Sequence, residues 1–221
     1  MEAKKSLEFA DGLRRRIEDE YNRLGHSQGW RLLYSPIDVL AGAPAAFLGL
    51  NPGGLLSGSV GHGELATPRG TSAYRDEVWK PPRRAGEEKL QQQALAVFDR
   101  LGVEPTEVLA GNLVPFRSQD LDRLDHRGAA FAFGEQIWRD IFDHAGVPPI
   151  VVTMGKPVFT RVARLLDAGA IEEVPYDWGR EVAGRARFPG GLLIGLPHLS
   201  RRPIMLHEAR QRSLNQLFAG T

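Results

Sequence analysis

The chain predicts an α/β protein: a three-layer α/β/α sandwich around a short, mainly parallel four-stranded sheet. Two observations carry that expectation. Four short apolar runs alternate with stretches of helical periodicity, which is the sequence order of a parallel sheet with helical crossovers. The runs are also too continuous for strands with one wet face, so both faces of the sheet should be covered.

The elements follow in order. Helical periodicity opens at about Ser6 and runs to Leu24. The first strand, "AAFLGL" (Ala45 to Leu50), stops on Asn51-Pro52-Gly53-Gly54, a tetrapeptide that neither extends a strand nor sits inside a helix. From Gly53 to Glu88 the chain is rich in Gly and Pro with little periodicity; segments this long in compact domains are functional or disordered, and this composition suits a wall over a site. A helix is expected over Glu87 to Leu101, then a strand in "EVLAGNL" (Glu107 to Leu113) and a helix over Ala129 to His144. The strand "PIVVTMG" (Pro149 to Gly155) leads into a helix over Pro157 to Leu166. The strand "GGLLIGLP" (Gly190 to Pro197) is followed by a last helix over Leu206 to Leu217.

With 221 residues, 42% hydrophobic and 25% charged, the chain fits a single compact domain over residues 1–221. The N-terminus, "MEAKKSLEFADGLRRR", mixes acids and bases where a signal peptide needs an apolar core, and the longest apolar stretch is short and carries Pro44. A cytoplasmic protein with no membrane partner is expected. The absence of cysteine from the sequence removes disulfides, thiolate nucleophiles, iron–sulfur clusters and the usual structural zinc sites, so no cofactor and no metal is expected. Net charge is only +1, so nucleic-acid binding must rest on local clusters. "KPPRR" (Lys80 to Arg84) and "HLSRRP" (His198 to Pro203) are such clusters, and from Gly190 onward four arginines face one glutamate. Ordinary solvated arginines are the plain alternative.

Open α/β sheets bind ligands at the carboxyl ends of their strands. Three of the four strand ends carry unusual punctuation: Asn51-Pro52-Gly53-Gly54, "NLVPFRS" (Asn112 to Ser118) and "PHLSRRP" (Pro197 to Pro203). Two asparagines and a histidine are therefore expected in one cleft. Taken singly, each has a structural alternative: Asn51 as a turn initiator, Asn112 satisfying buried backbone, His198 as an ordinary histidine. His62, His126 and His207 are read in that ordinary way, and Asp120 and Asp122 as capping or solvated acids.

Together the three segments resemble the motifs of the uracil-DNA glycosylase superfamily. Gly49-Leu50-Asn51-Pro52-Gly53 is similar to the Gly-x-Asn-Pro-Gly water-activation motif of its mismatch-specific and single-strand-selective branches. "HLSRR" resembles the His-Pro-Ser motif of the DNA-intercalating loop, with Leu199 in place of proline. Asn112 resembles the asparagine that reads the uracil edge, and "VVTMGKP" the strand-turn-helix start before the last strand. The likeness runs from about residue 45 to the C-terminus, and its iron–sulfur branches are ruled out by the missing cysteines.

The resemblance implies base excision from uracil-containing DNA by hydrolysis of the N-glycosidic bond. Such a reaction passes through an oxocarbenium-like sugar and an anionic base. His198 is the candidate donor to the developing anion on the uracil O2 carbonyl. Asn51 orients the attacking water but cannot deprotonate it, since an amide is no base near pH 7, so a slower enzyme than one bearing aspartate there is expected. Gly49, Leu50, Pro52 and Gly53 shape the base pocket around Asn112. Tyr74, Trp79 and Phe116 are candidates to stack on an extruded base, with Tyr74 and Phe116 favoured. Ser200, Arg201 and Arg202 are expected at the DNA, with Arg202 filling the gap left by the flipped nucleotide. The alternatives are a catalytically silent nucleic-acid or base-binding module on the same fold, and a phosphate loop at "NPGGLLSGSVGHG". The latter is disfavoured because it lacks Lys-Ser/Thr and dinucleotide-fingerprint spacing.

Overall fold

A computed structural model of the protein describes residues 2–53, 63–175, 182–201 and 203–221. In chain order these form α1 (Glu2–Arg23), β1 (Trp30–Arg31), a 3-10 turn (Ile37–Ala41), β2 (Ala45–Gly49), β3 (Gly63–Glu64), α2 (Ala73–Asp76), α3 (Lys89–Leu101), β4 (Leu109–Asn112), α4 (Arg127–Ala145), β5 (Ile150–Met154), α5 (Lys156–Leu165), β6 (Glu172–Pro175), β7 (Val182–Phe188), β8 (Gly191–Leu196), a second 3-10 turn (Glu208–Arg210) and α6 (Gln211–Leu217). The protein is α/β with a mostly parallel central sheet. Among the described residues no helix is long and apolar enough to cross a membrane.

The central sheet has the order β4-β2-β5-β8-β7-β6, six strands where the apolar runs predict four. Those four runs form its parallel part, β4, β2, β5 and β8. The two additional strands are an antiparallel ribbon beyond β8. They escape a search for continuous apolar runs because their polar residues alternate with small or apolar ones: Arg185 and Arg187 flank Ala186 in β7, and β6 carries only Val174 as a fully buried side chain. A local signal did exist. Phe188 pairs with Gly191 across Pro189-Gly190, and Gly190 takes φ +92°, a two-residue hairpin turn with glycine where positive φ is required.

Successive residues of the parallel strands point to opposite faces and enter separate hydrophobic cores. Ala46, Leu48, Leu109, Val151 and Leu193 pack with Leu13 and Ile17 of α1, Ile137 and Ile141 of α4 and Val158 and Val162 of α5. Phe47, Ala110, Val152 and Ile194 pack with Ala94, Val97 and Phe98 of α3 and Leu214 and Leu217 of α6. α3 begins with a capping box in which Glu88 and Gln91 satisfy each other's backbone N–H, and it ends on Gly102 in the left-handed conformation. The last helix starts later than its periodicity suggests, since Glu208–Arg210 forms a 3-10 turn before α6.

This topology sets the place of a site. From β2 the chain crosses to β4 on one side and then returns to β5 on the other, so β2 and β5 flank the point where the winding reverses. At that point the loops leaving the strands diverge to opposite faces and leave a crevice.

Candidate functional site

Beyond their last ladder residues, the chains leaving β2 and β4 stay paired. Leu113 N donates to Gly49 O (2.9 Å), Val114 N to Leu50 O (2.8 Å) and Ser118 N to Pro52 O (3.1 Å). The loop from Leu50 to Gly53 is thereby held against that from Leu113 to Ser118. On the other side of the crevice Gly155 N donates to Leu196 O (2.8 Å), carrying the β5–β8 pairing one step past the strands.

A cleft of about 1270 Å³ runs along this edge of the sheet, and Asn51, Asn112, His198, Ser200 and Arg201 all line it. Leu50 and Gly53 line it too, whereas Gly49 and Pro52 lie behind. Gly49 matters through close approach. A Cβ there would stand 2.9 Å from Asn112 Oδ1 and 3.4 Å from the Met154 methyl, so any side chain would push the amide aside. Arg202 lies outside the described residues.

Asn51 is half-buried, and its amide orientation follows from its neighbours. Nδ2 donates to Phe116 O (3.2 Å), Pro52 O (3.2 Å) and Ser118 Oγ (2.8 Å). Two of these are carbonyls, which only accept, so the atom facing them is the NH2 and Oδ1 is the other one. Asn112 is 5% exposed, its carbonyl accepts from Trp138 Nε1 (2.8 Å), and its N–H donates to Leu32 O (3.0 Å). Its Nδ2 is buried with no partner among the described residues, a cost of about 1–3 kcal/mol for a structure with nothing to gain from it. His198 Nδ1 lies 2.8 Å from Ser200 Oγ, and the turn closes with Arg201 N donating to His198 O (3.0 Å).

Leu199 stands between these polar residues and has no exposed surface. It sits in the core of the α3–α6 face with Ile204 and Met205, and Met205 N donates to Gln93 Oε1 (2.7 Å) on α3. A buried anchor thus holds the loop where a proline ring would have stiffened it.

The aromatic assignments change. Phe116 is fully buried, its ring against His26 (4.4 Å between centroids) and stacked on Phe133 (5.7 Å), so it offers no face to the cleft. Its backbone carbonyl, not its ring, reaches the site, through Asn51. Tyr74 touches the cleft but is 2% exposed, stacked on Tyr34 and edge-on to Phe47 and Phe98. Burial pushes its phenol well above the usual range and keeps it neutral. Trp79 and Tyr34 are half-buried rings of this wall. Both rings that the sequence favours for stacking are thus packed in the interior, Tyr74 at the cleft wall and Phe116 away from it, because aromatic loop residues look alike in sequence and only packing separates them.

Trp79 is fixed by a contact that spans the wall. Its Nε1 donates to Glu77 Oε2 (3.1 Å), and Glu77 accepts both Arg31 amino groups, at 2.8 and 2.5 Å. Burial works against the Arg31 charge, but the Glu77 hydrogen bonds, Tyr34 and Glu64 outweigh it and raise its pKa further above the usual arginine value. Arg31 lies over the Tyr34 ring at 4.5 Å, and Gln91 Nε2 ties Glu77 O to α3 at 2.8 Å. No sequence window flags this cluster, because 46 positions separate Arg31 from Glu77. Lys156 at the start of α5 and Met154 at the end of β5 are further lining residues that the sequence did not single out.

The cleft is not uniformly basic. Arg31, Arg117, Lys156 and Arg201 are offset by Glu64, Glu77, Asp120 and Glu173. Attraction for a polyanion would therefore come from the His198–Arg201 end rather than from the whole groove. No protein-family model matches the chain, and no curated protein matches it either.

Proposed function

We propose that the protein is a monofunctional uracil-DNA glycosylase that hydrolyses the N-glycosidic bond of a uracil turned out of DNA, on a three-layer α/β/α sandwich of that superfamily's kind. The observation that carries the proposal is the meeting of Asn51, Asn112 and His198, from the ends of β2, β4 and β8, in one cleft beside the winding reversal. The cleft exceeds the roughly 300–1,000 Å³ of a small-molecule pocket, in keeping with a macromolecular substrate.

Each residue then has a chemical task. Asn112 meets the uracil edge, and the buried Nδ2 that lacks a partner gains one in the O4 carbonyl. Trp79, held by Glu77, is the aromatic platform for the extruded base. Ser200 Oγ lies 2.8 Å from His198 Nδ1; in the tautomer where the hydroxyl donates, the imidazole carries its proton on Nε2 and gives a hydrogen bond to the uracil O2 as the C1′–N1 bond breaks. The electron pair of that bond leaves with the base as an anion spread over N1 and O2. A water held by Asn51 Oδ1 and the adjoining backbone bonds to C1′ and loses its proton to solvent, since the amide cannot take it. Arg201 grips a flanking phosphate.

The test is base release. The protein is incubated with single- and double-stranded oligonucleotides containing one uracil, in the presence of a chelator, and abasic sites are cleaved with alkali. Strand scission at the uracil position, abolished in His198→Ala, is expected. Oligonucleotide binding without any release would replace the proposal with a catalytically silent binding module.

A further inference from the structure

We infer that Ser118 is a positioning residue that fixes the Asn51 amide with its carbonyl oxygen toward the cleft, and that position 51 is thereby built for an amide and closed to a carboxylate. The inference rests on the glycosylase reading for its catalytic consequence, but its geometry stands apart from it.

Every link in the arrangement is forced by the chemistry of the groups. Ser118 is 2% exposed, and its hydroxyl donates to Asp120 O at 2.7 Å. That carbonyl has no proton to give, so the single hydroxyl proton is committed there and Oγ is left with lone pairs only. Toward Asn51, 2.8 Å away, Ser118 is consequently an acceptor, and it must meet an N–H. Phe116 O and Pro52 O impose the same demand from neighbouring directions. Three acceptors converge on one amide nitrogen, and among the described residues no donor reaches Oδ1. The half-buried side chain lines the cleft, so Oδ1 is the atom left to take a hydrogen from a water.

Ser118 itself is placed by Pro52. Its N–H donates to Pro52 O, so the loops after β2 and β4 lock both partners of the hydrogen bond. Asp120 completes the turn, its carboxylate accepting from Arg123 N at 2.9 Å. The acid predicted to cap or be solvated does cap a turn, and its backbone carbonyl sets the serine that sets the asparagine.

A carboxylate at position 51 would face two carbonyl oxygens that have no proton to offer, and could take the Ser118 hydroxyl proton only by drawing it away from Asp120 O. Asn51→Asp is therefore expected to lower activity rather than supply the stronger base that an aspartate represents elsewhere. Its remaining activity should rise as pH falls, because only the protonated acid can donate to these acceptors.

The decisive measurement combines kinetics with the Asn51 amide signal. Ser118→Ala should lower the single-turnover rate on a uracil oligonucleotide roughly 10- to 100-fold with little change in half-saturating concentration, as expected when the reacting water is misplaced while the DNA is still held. Ser118→Thr, which keeps the hydroxyl, should restore most of that rate. In an Asn51→Ala background, removing the Ser118 hydroxyl should cost less than threefold, because its effect runs through the amide. Independently of turnover, the side-chain amide protons of Asn51, assigned by their disappearance in Asn51→Ala, should exchange slowly with solvent and become faster in Ser118→Ala. Fast exchange unaffected by Ser118→Ala, or full additivity of the two substitutions, overturns the inference. A wild type with protected amide protons but no base release would instead sink the glycosylase reading and leave the amide geometry standing.

Discussion

Leu199→Ala separates anchoring from chemistry in the histidine loop. Leu199 has no exposed surface and packs with Ile204 and Met205 beneath the loop, while its neighbours His198 and Ser200 face outward. Truncation removes three buried carbons, about 2–3 kcal/mol of transfer free energy, and the cavity left behind brings the cost to about 3–4 kcal/mol. In a chain of this size each kcal/mol shifts the melting temperature by roughly 2–4 °C, so a fall of about 6–16 °C is expected in a calorimetric or fluorescence melt. Base release measured well below that transition should still slow by roughly tenfold, because the imidazole loses its fixed approach to the leaving base. Leu199→Met conserves volume and should retain both stability and rate. A Leu199→Ala protein melting within a degree of wild type would show that the side chain is not an anchor. One that melts lower but releases base at the wild-type rate would show that the anchor does not govern His198.

Three further outcomes are expected. Asn112→Asp replaces the buried amide donor with a carboxylate facing the O4 acceptor and should cost uracil processing several kcal/mol, read as single-turnover cleavage with folding checked by melting; an unchanged rate would remove Asn112 from base reading. Glu77→Gln removes one of the two carboxylates paired with the buried Arg31 guanidinium, leaving Glu64 at 3.3 Å, and should cost about 1–3 kcal/mol in urea unfolding, with a change in tryptophan emission if Trp79 is released; an unchanged midpoint would show the Glu77 contact to be dispensable. His26 is held below the ordinary histidine pKa, chiefly by burial, with Asp125 and Glu20 opposing and His126 adding to the effect. The unfolded chain therefore binds the proton more readily, so stability is full above about pH 6.5 and declines as pH falls below it. Melts at pH 7.5 and 5.0 should differ less in His26→Gln than in wild type, and equal differences would exclude His26 as a contributor.

How far the sequence speaks depends on whether a property is local. The parallel strands are legible because an apolar run and the breakers that end it lie within one window: "AAFLGL" before Asn-Pro-Gly-Gly forms β2, and "PIVVTMG" forms β5. The polar residues after β2, β4 and β8 can be placed at one sheet edge by the same means, since parallel strands share their carboxyl ends. The β6–β7 ribbon was legible in principle, through the Arg185-Ala186-Arg187 alternation and the Pro-Gly turn, but its amphipathic pattern is not that of a doubly covered strand.

Local pattern thus establishes an α/β chain whose strand ends bring two amides and an imidazole to one edge. What each group can do there depends on the folded chain. Phe116 and Trp79 are both aromatic loop residues, yet strand order buries the first under α1 and α4 and leaves the second on the cleft wall. Leu199 reads as a missing proline until the fold supplies a core beneath it. The direction of the Asn51 amide depends on Phe116 and Ser118, more than sixty positions away, and the Arg31–Glu77 pair likewise joins separate segments. Burial and hydrogen-bond polarity are properties of neighbours in space, and those neighbours exist only once β2 lies between β4 and β5.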